Sequence, residues 1–156
     1  MPGYDYASSG AYFVTICTHQ RAHLFGRVES DRVHLSPWGF IAEEELRHVP
    51  ERWNDIDLDV FVVMPNHVHL IVLFQGDPAT PSAKPPPTLG HVVGNYKAGV
   101  TRRIQHELRE IYPVIWQTRY HDHIIRTQEG YDQIRQYVVN NPAQWSEDRF
   151  YSARNL

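Results

Sequence analysis

The stretch Met64-Pro65-Asn66-His67-Val68-His69-Leu70-Ile71-Val72 places two histidines two residues apart in an apolar run that reads as a buried β-strand. Because successive side chains of a strand point to opposite faces, His67 and His69 share one face, and the valines and leucine of the run pack the other. Two neutral imidazoles, completed by oxygen ligands, suit a divalent cation that polarises a phosphoryl or carbonyl oxygen. The stretch therefore predicts a metal-binding strand.

A second pair with the same spacing, His121-Asp122-His123, lies later in the chain. Ten histidines in 156 residues make about one such spacing expected by chance, so spacing by itself is a weak signal. This pair follows a polar stretch rich in Gln, Thr and Arg, whereas the first pair follows a Pro-Asn turn signal. We interpret His121 and His123 as mainly structural.

Composition indicates one globular domain over residues 1–156, since 42% of the residues are hydrophobic and 12% are aromatic. Cys17 cannot form an intramolecular disulfide, and neither a basic-then-apolar leader nor an apolar run of membrane length is present. We therefore expect a cytoplasmic protein with no membrane partner. The net charge of −3 argues mildly against nucleic acid as a partner, but the acids crowd residues 29–59 and leave the later half basic.

The predicted elements run in the order strand, hairpin, helix, strand, strand, helix, strand, helix. Ser36-Pro37 signals the start of the first helix, and Pro50 and Pro113 are expected to end the first two helices. Residues 76–88 hold five prolines and predict an exposed loop. The predicted ranges are 10–18, 24–35 for the hairpin, 36–50, 57–63, 66–74, 89–112, 121–127 and 128–140.

This order predicts an α+β fold of the ferredoxin-like (RRM-like) type, in which helices cover one face of an antiparallel sheet. The last helix adds a chemical group, because Tyr137 and Asn141 are four residues apart and stack on one helix face. A tyrosine stores the energy of a cut phosphodiester as a covalent link, and an amide oxygen suits a hard cation. Tyr137 is also compatible with a core stripe of this helix, together with Tyr131.

Six sequence phrases, spread nearly end to end, are Tyr12-Phe13-Val14-Thr15, Leu24-Phe25, Met64-Pro65-Asn66-His67-Val68-His69, Tyr96-Lys97, Trp116-Gln117 and the segment Tyr131 to Pro142. In this ordered set the chain resembles the single-tyrosine HUH transposases, meaning the IS200-like enzymes and their REP-associated relatives. The resemblance implies a ferredoxin-like domain whose C-terminal helix carries the nucleophile.

The resemblance also implies that His67 and His69 bind Mg²⁺ or Mn²⁺, and that Tyr137 attacks single-stranded DNA beside a hairpin or palindrome. A 5′-phosphotyrosine intermediate and a 3′-OH result. Asn141 would be the third metal ligand. Many relatives carry Gln in that role, and Pro142 is expected to bias Asn141 away from helical geometry.

The same resemblance implies a DNA path along the middle helix, where Lys97, Arg102 and Arg103 would contact the strand. Tyr96 would stack on a base, whereas Trp116 is expected in the core. Relatives act either as homodimers that exchange tyrosine helices or as monomers, and the sequence leaves this choice open.

The alternative function is a non-catalytic, ferredoxin-like module that binds single-stranded nucleic acid. Such a module needs no nucleophile, and the chain has no aromatic Gly-Phe strand phrase of the RNA-recognition type. A cupin-like metalloprotein is disfavoured because the usual Glu after His69 is missing and helices are prominent. A phosphodiesterase with two H-x-[ST] motifs is disfavoured because His34-Leu35-Ser36 is the one such phrase in the sequence.

Overall fold

A four-stranded antiparallel sheet with the order β4-β5-β1-β6 organises the protein. The computed structural model describes residues 10–75, 87–111 and 114–147. Leaving aside the β2-β3 hairpin, the main chain follows the βαββαβ path, which confirms the ferredoxin-like prediction. The elements are β1 (Gly10–Cys17), β2 (Gly26–Glu29), β3 (Arg32–Leu35), α1 (Pro37–Arg52), β4 (Ile56–Met64), β5 (His67–Phe74), α2 (Leu89–Glu107), β6 (His121–Ile124) and α3 (Gln128–Asn140), with 3₁₀ turns at His19–Arg21 and Pro142–Glu147.

The three helices are divided between the two faces of the sheet. Helices α1 and α2 pack on the face that carries Val14 of β1 and Leu70 of β5, where the larger apolar cluster lies. Helix α3 packs on the opposite face, where Tyr131 joins Ile71 in a smaller cluster. The C-terminal helix therefore covers the face to which His67 and His69 point.

The hairpin β2-β3 and the start of α1 are held together by a close backbone approach. The side chain of Ser36 caps α1 by accepting from the Gly39 amide at 3.1 Å, as the Ser-Pro signal predicts. A Cβ atom on Gly39 would lie 2.1 Å from the carbonyl oxygen of Phe25, so this position requires glycine.

Helix boundaries were predicted with mixed success. Helix α3 has the predicted range, Gln128–Asn140, and is capped by Thr127. Pro50 lies inside α1 instead of ending it, because a proline in the last turn costs the helix only one hydrogen bond. Helix α2 ends at Glu107, well before Pro113, because Arg109 takes a left-handed conformation with φ of 53°.

The remaining differences concern chain ends and loops. Strand β6 ends at Ile124, three residues earlier than predicted. Most of the predicted proline-rich loop, residues 76–86, and Pro113 lie outside the described residues. Across the described ranges 10–75, 87–111 and 114–147, none of the helices combines the length and apolar character that a membrane crossing requires.

Candidate active site

The histidine strand begins at a tightly anchored two-residue turn. Pro65 and Asn66 connect β4 to β5, and Met64 pairs with His67 across them. The Phe25 amide donates to the Pro65 carbonyl at 3.0 Å, and the Thr18 amide donates to the Asn66 carbonyl at 2.9 Å. These bonds fix the register of β5, and therefore the face on which both histidines lie.

The imidazoles of His67 and His69 lie against each other with 0% of each residue exposed and ring centroids 4.4 Å apart. Nδ1 of His67 lies 2.7 Å from Oδ1 of Asn66, which can only accept, so the proton is on Nδ1. Nδ1 of His69 lies 2.9 Å from the hydroxyl of Thr15. Each ring is thus oriented through Nδ1, and the buried Nε2 is the nitrogen that would bind a cation.

The predicted nucleophile lies beside this pair. The ring of Tyr137 on α3 is half-buried, with its centroid 5.4 Å from that of His69. It also meets the ring of Phe13 edge-on, at 6.1 Å and an interplanar angle of 84°. The structure therefore brings Tyr137 and the histidines together across the interface between α3 and the sheet.

Along the chain, Asn141 lies between two aromatic residues, Tyr137 and Trp145, that each contact one histidine of the pair. It is 1% exposed and follows Tyr137 by one helical turn, and Trp145 further on stacks on His67 with ring centroids 6.1 Å apart. Its φ of −57° and ψ of −43° are helical, and its amide donates to the Val138 carbonyl at 3.3 Å. The expectation that Pro142 moves Asn141 out of helical geometry is therefore wrong, because the bond to Val138 holds the last turn.

A polar latch, formed by Asp59, Tyr131 and Arg135, fastens the start of α3 to β4. The buried hydroxyl of Tyr131 donates to Oδ2 of Asp59, and Nε of Arg135 lies 3.3 Å from the same oxygen. Asp59 lies where β4 shifts register between Leu58 and Phe61. Sequence reasoning did not identify this role, although an acidic residue inside an apolar strand is a signal that could have done so.

The residues around the histidines fit a divalent cation. Among residues 10–75, 87–111 and 114–147, no group of three or more His, Cys, Asp and Glu side chains is placed to hold a metal. The donors that the two histidines would offer a cation are imidazole nitrogens, and the buried amide oxygen of Asn141 is a third neutral donor on the helix that packs over them. Such a donor set leaves the positive charge of the cation to act on a phosphate.

The structure corrects the predicted role of Tyr96 in stacking on DNA bases. Tyr96 is 2% exposed, and its hydroxyl donates to the Ala42 carbonyl of α1 at 2.9 Å. Burial, with the nearby charge of Glu45, raises the pKa of this phenol well above its usual value. Tyr96 is a core residue, and Trp116 is buried as expected, with Nε1 donating to the Lys97 carbonyl at 3.2 Å.

The predicted basic face of α2 is largely engaged within the protein. Nζ of Lys97 donates to the Gln117 carbonyl at 2.8 Å, and burial lowers the pKa of this amine. Arg103 bonds to Glu107 on its own helix and to Glu44 of α1 at 2.9 Å. The hydrogen bond with Glu107 is the largest cause that raises the pKa of the guanidinium. Arg102 is exposed on the same helix.

Comparison with known proteins assigns the chain to a family. The sequence profile of the family described as "Transposase IS200 like" matches residues 7–141. The chain belongs to the IS200-like transposase family. Members of this family have a role in DNA transposition. An uncharacterized protein of Haemophilus influenzae is 34% identical to this chain over 161 residues, which cover 95% of this chain and 88% of the relative.

Two solved structures share the fold. One is a REP-associated tyrosine transposase bound to a REP hairpin, with a TM-score of 0.57 and 19% identity, over 86% of this chain and 67% of that one. The other is a Deinococcus radiodurans protein whose description as a transposase is provisional. It has a TM-score of 0.54 and 21% identity, over 90% of this chain and 95% of that one.

Proposed function

We propose that this transposase-family protein cleaves and rejoins single-stranded DNA with Tyr137 as the nucleophile and with Mg²⁺ or Mn²⁺ held by His67 and His69. The observation that carries the proposal is the contact between Tyr137 and His69 of the buried histidine pair, with ring centroids 5.4 Å apart. A tyrosine placed for packing alone would not need to lie against one of two adjacent imidazoles whose Nδ1 atoms are both oriented by polar partners.

In the proposed reaction, the phenol oxygen of Tyr137 attacks a backbone phosphorus. A bond forms between the tyrosine oxygen and phosphorus, and the bond from phosphorus to the 3′ oxygen of the neighbouring nucleotide breaks. The phenol loses its proton to solvent, and the departing 3′ oxygen gains one. Attack by another 3′-OH on the 5′-phosphotyrosine reverses these changes and joins the strands without a nucleotide cofactor.

The other groups of the site would orient the imidazoles and stabilise the negative charge on the phosphate. A bound divalent cation would stabilise negative charge that develops on the phosphate oxygens. Asn66 and Thr15 hold the two imidazoles so that Nε2 faces the site, and Asn141 supplies an amide oxygen from the nucleophile helix. Trp145 covers His67 and restricts water on that side.

We propose DNA that contains hairpins or palindromes as the partner. Support comes from the similar REP-associated transposase, whose structure holds a REP hairpin. Of the residues predicted to contact DNA, Arg102 keeps an exposed position that suits a phosphate. A monomer and a homodimer are both compatible with the proposal, and sedimentation of the protein with and without hairpin DNA distinguishes them.

A covalent-adduct assay tests the nucleophile. The wild-type protein and Tyr137→Phe are mixed with 3′-labelled single-stranded hairpins from the DNA flanking the gene, with Mg²⁺ or Mn²⁺, and run on denaturing gels. We expect label to migrate with the wild-type protein and with the control Tyr120→Phe, another half-buried tyrosine. We expect no adduct with Tyr137→Phe or with chelator.

Two results would contradict the proposal. An adduct that persists in Tyr137→Phe assigns the nucleophile to another residue. Hairpin binding without any adduct, under both cations and with several flanking sequences, favours the non-catalytic binding module.

A further inference from the structure

The second histidine pair lies on the same face of the sheet as the first. In the strand register, Thr15 of β1 is opposite His69 on one side and opposite His121 of β6 on the other. Directly opposed residues in antiparallel strands share a face, so His121 and also His123, two residues further on, share the face of His69. The structural role expected for this pair from sequence does not account for this alignment.

The second pair is also close to the nucleophile. Two strand spacings separate β5 from β6, which puts the backbones of His69 and His121 about 10 Å apart. His123 is opposite Phe13, the residue whose ring meets Tyr137 edge-on. The two exposed histidines therefore lie on the β6 side of the proposed cleavage site.

In the described parts of the chain, the two sides of this face differ in how they are covered. Toward β4, α3 closes the face, since Ile134 of α3 and Val60 of β4 both pack against the smaller apolar cluster and the latch at Asp59 fastens the helix. Toward β6, both His121 and His123 are exposed. As far as the described residues go, a nucleic-acid strand that reaches Tyr137 can therefore pass over the exposed side of β6.

We infer that His121 and His123 form a track for the unpaired nucleotides that adjoin the scissile phosphate. The inference rests on the proposed function and names where its substrate lies. Imidazole rings stack on unpaired bases and donate hydrogen bonds to phosphate oxygens. A second metal site is a poorer interpretation of this pair, because both imidazoles are exposed, whereas those of His67 and His69 are fully buried.

A binding experiment with a matched control tests the track. The double variant His121→Ala/His123→Ala is compared with Asp122→Ala, which changes the residue between them on the opposite face, register partner of Val14. The probes are two fluorescent hairpins from the DNA flanking the gene, one with a single-stranded arm and one without. Anisotropy is measured with chelator present, so that the readout does not depend on cleavage.

We expect the double variant to bind the armed hairpin about tenfold or more weakly, because it loses two rings on which unpaired bases stack. Binding of the armless hairpin and binding by Asp122→Ala should stay at wild-type strength. Because the changed residues are exposed, thermal melting should match the wild type and exclude misfolding as the cause.

The outcomes separate this inference from the proposed function. If the wild-type protein forms the Tyr137 adduct but the double variant binds the armed hairpin normally, the track is overturned and the cleavage proposal stands. If the wild type forms no adduct while the double variant loses binding to the armed hairpin selectively, the track stands and the cleavage proposal falls. Equal weakening for both hairpins also overturns the track.

Discussion

The two faces of the central sheet bury different kinds of side chain. The face under α1 and α2 carries a continuous apolar cluster of 20 buried residues, whereas the apolar cluster under α3 has five, counted over the described residues. The α3 face buries His67, His69 and Asn141 instead. Buried polar groups cost stability unless they are hydrogen-bonded. The α3 face therefore contributes less apolar burial to stability, and it holds the residues of the proposed site instead. The fold thus draws most of its stability from the face that takes no part in the site.

The largest expected effect is a loss of stability on removing a buried side chain from the face under α1 and α2. Ile104 of α2 is 0% exposed within the larger cluster. Replacing it by alanine should lower the free energy of unfolding by about 2–5 kcal/mol, through lost burial and a cavity. Urea denaturation measures this loss. Adduct formation per folded molecule should be unchanged, and a proportional loss of activity would show that the two faces are not independent.

The next effect comes from releasing α3 from β4. Asp59→Ala removes the acceptor of the buried Tyr131 hydroxyl, which should lower stability by about 1.5–3 kcal/mol. The adduct rate at saturating hairpin DNA should fall while the hairpin Kd stays constant, because Asp59 fastens the helix that carries Tyr137 and is not among the residues proposed to contact DNA.

Two comparisons sharpen that test. Arg135→Ala removes only the more exposed ion pair of the latch and should cost about 0–1 kcal/mol. Amide exchange along α3 should accelerate in Asp59→Ala and not in Arg135→Ala. An unchanged exchange rate together with an unchanged adduct rate would remove Asp59 from the list of positioning residues.

A smaller effect is expected from removing the hydroxyl that orients a proposed metal ligand, His69. Thr15→Val removes the hydroxyl beside Nδ1 of His69, and such supporting contacts are worth about 10–100-fold in metal affinity. Calorimetric titration with Mn²⁺ measures the change. Thr101→Val, which removes a hydroxyl bonded to the Lys97 carbonyl on α2, is the matched control and should bind Mn²⁺ normally. Equal affinity in both variants would mean that Thr15 does not orient a ligand.

The smallest effect is expected at the exposed end of the predicted DNA path. Arg102→Ala should leave stability within about 0.5 kcal/mol and reduce the salt dependence of hairpin binding by about one phosphate contact. Arg47→Ala, at an exposed arginine of α1, controls for net charge. If the two variants show the same salt dependence, Arg102 does not contact DNA.

The parts that could be predicted from sequence are those decided by local periodicity. Strand alternation placed His67 and His69 on one face, and helical spacing gave α3 its correct range. Because these signals depend on neighbours in the chain, no tertiary information was needed to read them.

The parts that failed depend on packing between distant segments. Tyr96 has the same spacing whether it faces DNA or α1, and its burial is settled by the bond to Ala42, 54 residues away. Asp59 acquires its role from a helix 72 residues later in the chain. Likewise, His121 and His69 share a face because β6 and β5 both pair with β1, and this strand order cannot be read from a single sequence.

One continuous segment, from Tyr137 through Asn141 to Trp145, spans both histidines of the site. The proposed attacking oxygen, the proposed oxygen ligand and the ring that stacks on His67 therefore all lie on one short stretch of chain. We expect its displacement to switch off attack, ligation and shielding together, so that the protein has no partly active form. For the proposed DNA-cleaving function, this coupling means that a molecule with a displaced α3 is inert instead of promiscuous.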